Sequence, residues 1–233
     1  MPPSAAKLQI VIPLFAGVTQ LDFTGPHQVF SRAPDVEVTV ASLDARDVAA
    51  EGLVFTSLKD LAKVERCDLL CIPGGYGAAD AMLDTRFLRQ IRRLGAQSRY
   101  LTSVCTGSLI LAAAGFLRGR RAACHWAWRE LLEPFGAIVD EGRVVRDGAI
   151  ITGGGVTAGL DFAFTVLAEI AGEEFAQTVQ LGLEYAPAPP FDAGRPELAP
   201  AKVLAAYNRR LGPVIMARRA AAEEAARRLL APV

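Results

Sequence analysis

"YLTSVCTGSLILAAAGFL", residues 100–117, sets one cysteine between two runs of different character. Tyr100–Cys105 reads as a strand, and the small and aliphatic residues from Gly107 read as a buried helix. Cys105 falls at the handover. A strand that turns sharply into a helix exposes the residue at the corner, as a nucleophile elbow does. Gly107 and Ser108 leave room for such a turn. The helix N-terminus is expected to favour thiolate and to lower the cysteine pKa. The alternative is a cysteine that only fills space at a strand end.

Outward from this corner, strand-like and helical patterns alternate. "LQIVIPLF" (8–15) reads as a near-continuous apolar strand, "VEVTVASL" (36–43) as a second strand and "CDLLCIPGG" (67–75) as another, ending in a glycine pair. "TRFLRQIRRLGAQ" (85–97) has the spacing of an amphipathic helix, and "GPHQVFSRA" (25–33) reads as a helix with Pro26 in its first turn behind a cap at Thr24. Doubly apolar strands separated by helices predict an α/β fold: a mostly parallel central sheet covered by helices on both faces. "RVVRDGAIITGGG" (143–155) predicts two short strands around the Asp147-Gly148 turn.

Helical patterns cover about 158–185, and a proline-rich loop (186–200) leads to a last helix. That helix carries Glu223/Arg227 and Glu224/Arg228 at i,i+4, the pattern of a solvated face. The 33 residues after the loop are too few for a second globular domain. Residues 8–200 are therefore expected to form one domain, with 1–7 a flexible N-terminus and 201–233 a helix packed on the domain or on a dimer partner.

The 233 residues suffice to bury a full core, and 52% are hydrophobic. Lys+Arg and Asp+Glu balance at 25 each, which gives no electrostatic case for nucleic acid or an anionic membrane. MPPSAAK lacks the pattern of a signal peptide, and the apolar run after it is too short to span a bilayer. A cytoplasmic protein with reduced cysteines is expected. Cys67 and Cys71 are spaced C-x3-C and share a strand, which suits a core better than zinc; no metal is expected.

A thiol nucleophile needs a proton partner. Thr106, not histidine, follows Cys105, and His27 and His125 both read as structural. Asp22 follows the first strand's loop and so belongs at the carboxyl edge of the sheet with Cys105 and the Gly74-Gly75 pair, where parallel sheets place ligands. Loop capping by Asp22 is the competing reading. Backbone N–H groups at Thr106 and near Gly75 are expected to face developing negative charge.

Six stretches in order, "LDFTGPHQVF", "CIPGGYGA", "TSVCTGSLILAAAGFLRGRRA", "HWAWRELL", "RVVRDGAIITGGGVTAGLDFAF" and "LGLEYAPAPPFDAG", resemble the ThiJ/PfpI superfamily and, within it, the isocyanide hydratase branch. The resemblance implies a flavodoxin-like sandwich, a homodimer, and no metal or organic cofactor. It implies that Cys105 works with Asp22 to add water to R–N≡C, giving an N-substituted formamide through a thioimidate. Thr106 would hold the water or the intermediate, or else cap its helix. Gly74, Gly75 and Val156 would line the pocket. Gly153, Gly154 and Gly155, with Thr157 and Gly159, would form a loop and helix start that shift when Cys105 is modified. Three rivals stand beside this reading: a ligand-sensing domain of a transcription regulator, a glyoxalase-like, protein-repair or peptidase activity, and a redox stress protein.

Overall fold

The computed structural model describes residues 7–231. The expected flexible segment 1–7 lies outside the described residues except for exposed Lys7, as do positions 232 and 233 of the C-terminal segment. The chain opens with β1 (Leu8–Leu14), α1 (Gln20–Phe30), β2 (Val36–Ser42), a small hairpin of β3 (Val48–Ala50) and β4 (Leu53–Phe55), and β5 (Lys59–Asp60). β6 (Leu69–Ile72), α2 (Ala78–Ala81), α3 (Thr85–Gln97), β7 (Tyr100–Val104) and α4 (Gly107–Ala113) come after it. Next are β8 (Arg121–Ala122), a 3₁₀ segment Arg129–Phe135, β9 (Ile138–Val139), β10 (Val144–Asp147) and β11 (Ile150–Gly153). Three helices end the chain: α5 (Ala158–Ala171), α6 (Glu173–Gly182) and α7 (Ala201–Leu230).

Seven strands form the central sheet in the order β10-β11-β7-β6-β1-β2-β5. All neighbours are parallel except the β10–β11 hairpin, which turns at Gly148 as the Asp-Gly pair predicts. The connection from β1 goes to β2 on one side, whereas β6 and β7 lie on the other. Right-handed crossovers in opposite directions place α1 and α3 on opposite faces of the sheet. α1 accordingly packs against α5, and α3 against α4. Ile10, Val11, Ile12, Leu69, Leu70 and Ile72 are fully buried, which is why these strands are apolar on both faces. The strand order reverses between β1 and β6, so a crevice opens at their carboxyl ends.

α3 spans the residues its periodicity predicts. Asp84 caps it by accepting from Arg86 N at 2.8 Å and Phe87 N at 3.0 Å. α1 corrects the sequence reading. It begins at Gln20 behind Thr19, so Pro26 lies inside it and Thr24 is no cap. Thr24 Oγ1 instead donates back to Gln20 O at 3.0 Å, as a mid-helix threonine does. Pro26 forfeits only one helical bond, and its ring packs where Gly159 of α5 leaves space, 3.5 Å from where a Cβ would stand.

α7 is a second correction in detail. Glu224, not Glu223, meets Arg227, at 2.6 Å, and it also meets Arg228 at 2.7 Å. Leu211, Ala222, Ala225 and Ala226 bury the inner side of α7 against the 3₁₀ segment, α4 and α2. The helix thereby crosses the sheet's carboxyl edge. Among the described residues no helix is long and apolar enough to cross a membrane.

Candidate active site

β7 ends at Val104, and Cys105 takes the corner with φ 58°. A side chain in this left-handed region costs on the order of 1–2 kcal/mol, so the conformation must be held from outside. The holding groups are Gly153 O and Gly154 O at the end of β11, which accept from Cys105 N at 3.0 and 2.9 Å. Gly107 then starts α4 so close to β6 that a Cβ there would lie 2.1 Å from Ile72 O. A cysteine that merely filled space would require neither feature.

Asp22 lies in the first turn of α1, not in the loop before it, and is fully buried. It caps nothing: its Oδ2 accepts from Gly74 N at 3.0 Å, across 52 residues of sequence. Gly74 is the point of convergence. A Cβ there would lie 2.5 Å from Thr106 N, 2.6 Å from Thr106 Oγ1 and 2.9 Å from Asp22 Oδ2. Thr106 does not cap α4 through its side chain. Its hydroxyl accepts from Gly75 N at 2.9 Å and donates to Gly75 O at 3.1 Å, fixing both polar groups of that peptide turn. The N–H groups of Gly74 and Gly75 are therefore engaged, so neither of these two is a free donor to developing negative charge. The N–H groups of Thr106 and Val156 face the Cys105 sulfur instead.

The electrostatics also differ from the sequence expectation. Burial pushes the Cys105 thiol well above its ordinary value, and the adjacent Asp22 charge adds to this. The N–H groups of Thr106 and Val156 oppose the shift without reversing it. Burial also raises Asp22, to about 7; the Gly74 N–H and the Cys105 thiol favour the carboxylate, and Glu51 opposes it. The thiol is close enough to matter, yet Asp22 Oδ1 has no hydrogen-bond partner among the described residues. The pair is thus a neutral thiol beside a carboxyl group poised near neutrality.

A cavity of about 360 Å³ opens over this pair. Cys105, Thr106, Gly75 and Val156 line it, whereas Gly74 lies behind the lining and positions Asp22. Sequence reasoning missed several lining residues: Leu21, Glu51, Tyr76, Trp128, Tyr207 and Arg218. Glu51 had a legible signal, since Glu51-Gly52 is a two-residue turn with φ 51° and 87° between the apolar β3 and β4. Tyr207 and Arg218 come from α7 and had none. Cys67, Cys71 and Cys124 are buried, with thiols raised to about 11, 12 and 12, and none lines this cavity. His125 also lines it; burial lowers its pKa to about 4, and its Nδ1 accepts from Ala127 N at 3.2 Å. It is a neutral wall, not a base. His125 and Val156 separate this cavity from one of about 520 Å³ that Cys105 does not reach.

The glycine run leads from β11 to α5. None of Gly153, Gly154 and Gly155 has positive φ, so space, not backbone freedom, explains two of them. A Cβ at Gly155 would meet His125 Cδ2 at 2.7 Å, and one at Gly153 would meet Phe162 Cβ at 3.1 Å. At Gly154 the nearest atom is an ordinary 3.5 Å away. Thr157 precedes α5, and a Cβ at Gly159 would lie 3.3 Å from Val104 Cγ1 on the cysteine strand.

Asp22 makes stability depend on pH. Its folded pKa, about 7, exceeds the unfolded value near 3.8, so its contribution is fully present below about 3.8 and is lost as pH rises through 7. Asp22→Asn keeps an acceptor for Gly74 N–H and cannot ionise. In denaturant unfolding it is expected to match the natural protein at pH 4 and to exceed it by a few kcal/mol at pH 8. Equal stability of the two at pH 8 would mean that Asp22 is not held near neutrality.

Known proteins supply the remaining findings. The chain is 49% identical to isonitrile hydratase from Pseudomonas putida, over 95% of this chain and 98% of that one. It is 30% identical to protein dj-1beta from Drosophila melanogaster, over 76% of this chain and 97% of that one. The crystal structure of a ThiJ/PfpI family protein from Pseudomonas syringae superposes with a TM-score of 0.89 at 37% identity, covering 96% of this chain and 92% of that one. Residues 8–169, which carry Asp22, Gly75 and Cys105, match the DJ-1/PfpI family, and to that family the chain belongs.

Proposed function

We propose that the chain hydrates isocyanides to N-substituted formamides, with Cys105 as nucleophile and Asp22 as proton carrier. One observation carries the reading: a strained, cavity-lining thiol lies beside a buried carboxyl group whose pKa is about 7. The likeness to the Pseudomonas putida enzyme over nearly its whole length supports the same substrate class.

The terminal carbon of an isocyanide must gain a nucleophile and a proton at one atom. The Asp22 carboxylate takes the thiol proton as Cys105 Sγ attacks that carbon. Asp22 then gives the proton to the same carbon, leaving R–N=CH–S–Cys. In the second stage Asp22 accepts a proton from water as the water oxygen adds to the carbon, and passes that proton to the nitrogen, giving R–NH–CH(OH)–S–Cys and a free Asp22 carboxylate. The carbon–sulfur bond breaks, the hydroxyl proton returns to sulfur through Asp22, and R–NH–CHO leaves. A carboxyl group near pKa 7 serves as base and acid in turn at neutral pH. Thr106 Oγ1 has one lone pair beyond its two bonds to Gly75, and that lone pair is the proposed hold on the water.

The glycine loop belongs to this reading through Cys105. Its carbonyls hold the Cys105 N–H, and Val156 N–H faces the sulfur. Bonding the sulfur to carbon weakens it as an acceptor, so the segment from Gly153 to Gly159 is proposed to shift at the intermediate. The two-fold homodimer stays a proposal as well. Exposed Leu181, Phe191, Val203 and Met216 along α6, the proline-rich loop and α7 support it.

Three measurements test these statements. Cys105→Ala is expected to abolish formamide formation from 4-tolyl isocyanide while keeping the fold, and Cys67→Ala, Cys71→Ala and Cys124→Ala to keep most of it; an active Cys105→Ala protein ends the covalent route. Gly154→Ala, where a methyl group fits, is expected to slow breakdown of the intermediate more than its formation in pre-steady-state kinetics; the opposite pattern removes the loop from the later step. A sedimentation mass of about twice the 24.8 kDa chain is expected at micromolar concentration, and a single-chain mass rejects the dimer.

A further inference from the structure

Arg218 is the cation of the cysteine cavity, and nothing in the proposed hydration employs it. It reaches the cavity from α7, half-buried, with its guanidinium carbon 4.1 Å from the centre of the Trp128 ring and 4.8 Å from that of Tyr76. These two aromatic contacts hold the group in place without using its N–H donors, which lie in the guanidinium plane. Among the described residues Arg218 donates no side-chain hydrogen bond and forms no ion pair. The carboxylate of Glu51 lines the same cavity, but it accepts from Gln20 N at 3.2 Å and does not pair with Arg218. Burial lowers the Arg218 pKa, which shows that the site disfavours a bare cation. A guanidinium remains charged in such a place. The cavity thus holds a fixed, oriented set of donors that lacks an acceptor.

The source of Arg218 in the chain points to selectivity. Asp22, Gly75 and Cys105 fall within residues 8–169, the stretch shared across the family, whereas Tyr207 and Arg218 lie beyond it. The shared part provides the reacting groups. The added helix provides the wall against which the rest of a substrate must rest. That wall combines aromatic surface from Tyr76, Trp128 and Tyr207 with a planar, two-pronged donor. A planar carboxylate on an apolar body is its chemical complement, because guanidinium and carboxylate meet through two parallel hydrogen bonds. Glu51 on the same cavity repels that carboxylate and so favours the orientation toward Arg218.

Resting on the hydratase reading, we infer that Arg218 is a specificity-determining residue and that the preferred substrates are isocyanides bearing a carboxylate remote from the reacting carbon. The test measures binding apart from turnover. Cys105→Ala protein is titrated with 3-isocyanobenzoate, 4-isocyanobenzoate and neutral 4-tolyl isocyanide, with fluorescence of Trp126 and Trp128 as readout. At least one carboxylate is expected to bind roughly 10- to 100-fold more tightly than the neutral compound. Adding Arg218→Met is expected to bring that ratio near one, and Arg218→Lys, which keeps charge and stem, to retain part of it. The same three compounds are assayed for hydration with the natural protein.

A ratio near one before substitution, or a ratio that survives Arg218→Met, overturns the inference. If the natural protein then still hydrates 4-tolyl isocyanide, the hydratase reading stands without it. If Arg218 governs carboxylate binding but no isocyanide is hydrated, the anion site stands and the hydratase reading falls. Should Arg218→Met fail to fold, the comparison of Arg218→Lys with the parent decides, since an unchanged ratio there would remove the two-pronged contact.

Discussion

A carboxyl group buried beside a thiol, with one backbone N–H to hold it, is the constraint around which this molecule is arranged. Among the described residues Gly74 N–H is the hydrogen bond on one Asp22 oxygen and the other oxygen has none, while Cys105 lies near enough to feel its charge. Such a pair is unfavourable in isolation. It persists because three separate chain segments converge on it with no spare volume. Gly74 admits no side chain, Gly107 brings α4 against β6, and the β11 carbonyls clamp the Cys105 backbone. Each is a packing requirement of the sheet edge as much as of the site.

The sheet order explains why these segments meet. β1, β6 and β7 lie side by side and parallel, so the chain leaves all three strands at one edge of the sheet. Asp22 comes after β1, Gly74 and Gly75 after β6, and Cys105 after β7. The reversal of strand order beside β1 leaves a gap there, and α7 crosses it with Tyr207 and Arg218. The proposed reacting groups thus sit on the shared framework, and the remaining wall comes from an element beyond it.

Much of this was legible in the sequence, for identifiable reasons. Doubly apolar strands betray a covered parallel sheet, and the strand-to-helix corner at Cys105 is marked by a change of periodicity at one residue. Pro26 misleads, because proline is most at home in a helix's first turn; here the space left by Gly159 accommodates its ring mid-helix. The thiol's acidity is also hidden from the sequence. Helix position can be read there, whereas desolvation depends on what covers the residue, and here it prevails. Arg218 and Tyr207 lie about a hundred residues from the cysteine on a helix whose mixed charges suggest only a solvated surface. Their role arises from how α7 docks, which no local pattern records.

The raised pKa of Cys105 has a bearing on durability. Peroxides oxidise thiolates, and the other three thiols, raised to about 11 or 12, hold little of that form at neutral pH. Burial and the Asp22 charge move the Cys105 thiol in the same direction. An oxidant meets little thiolate there at rest, and Asp22 is the group beside the sulfur that can take its proton. A molecule whose reacting carbon accepts sulfur and proton together finds both supplied by the Cys105–Asp22 pair. In the proposed chemistry, the same burial that holds the proton on sulfur at rest therefore leaves its release to Asp22.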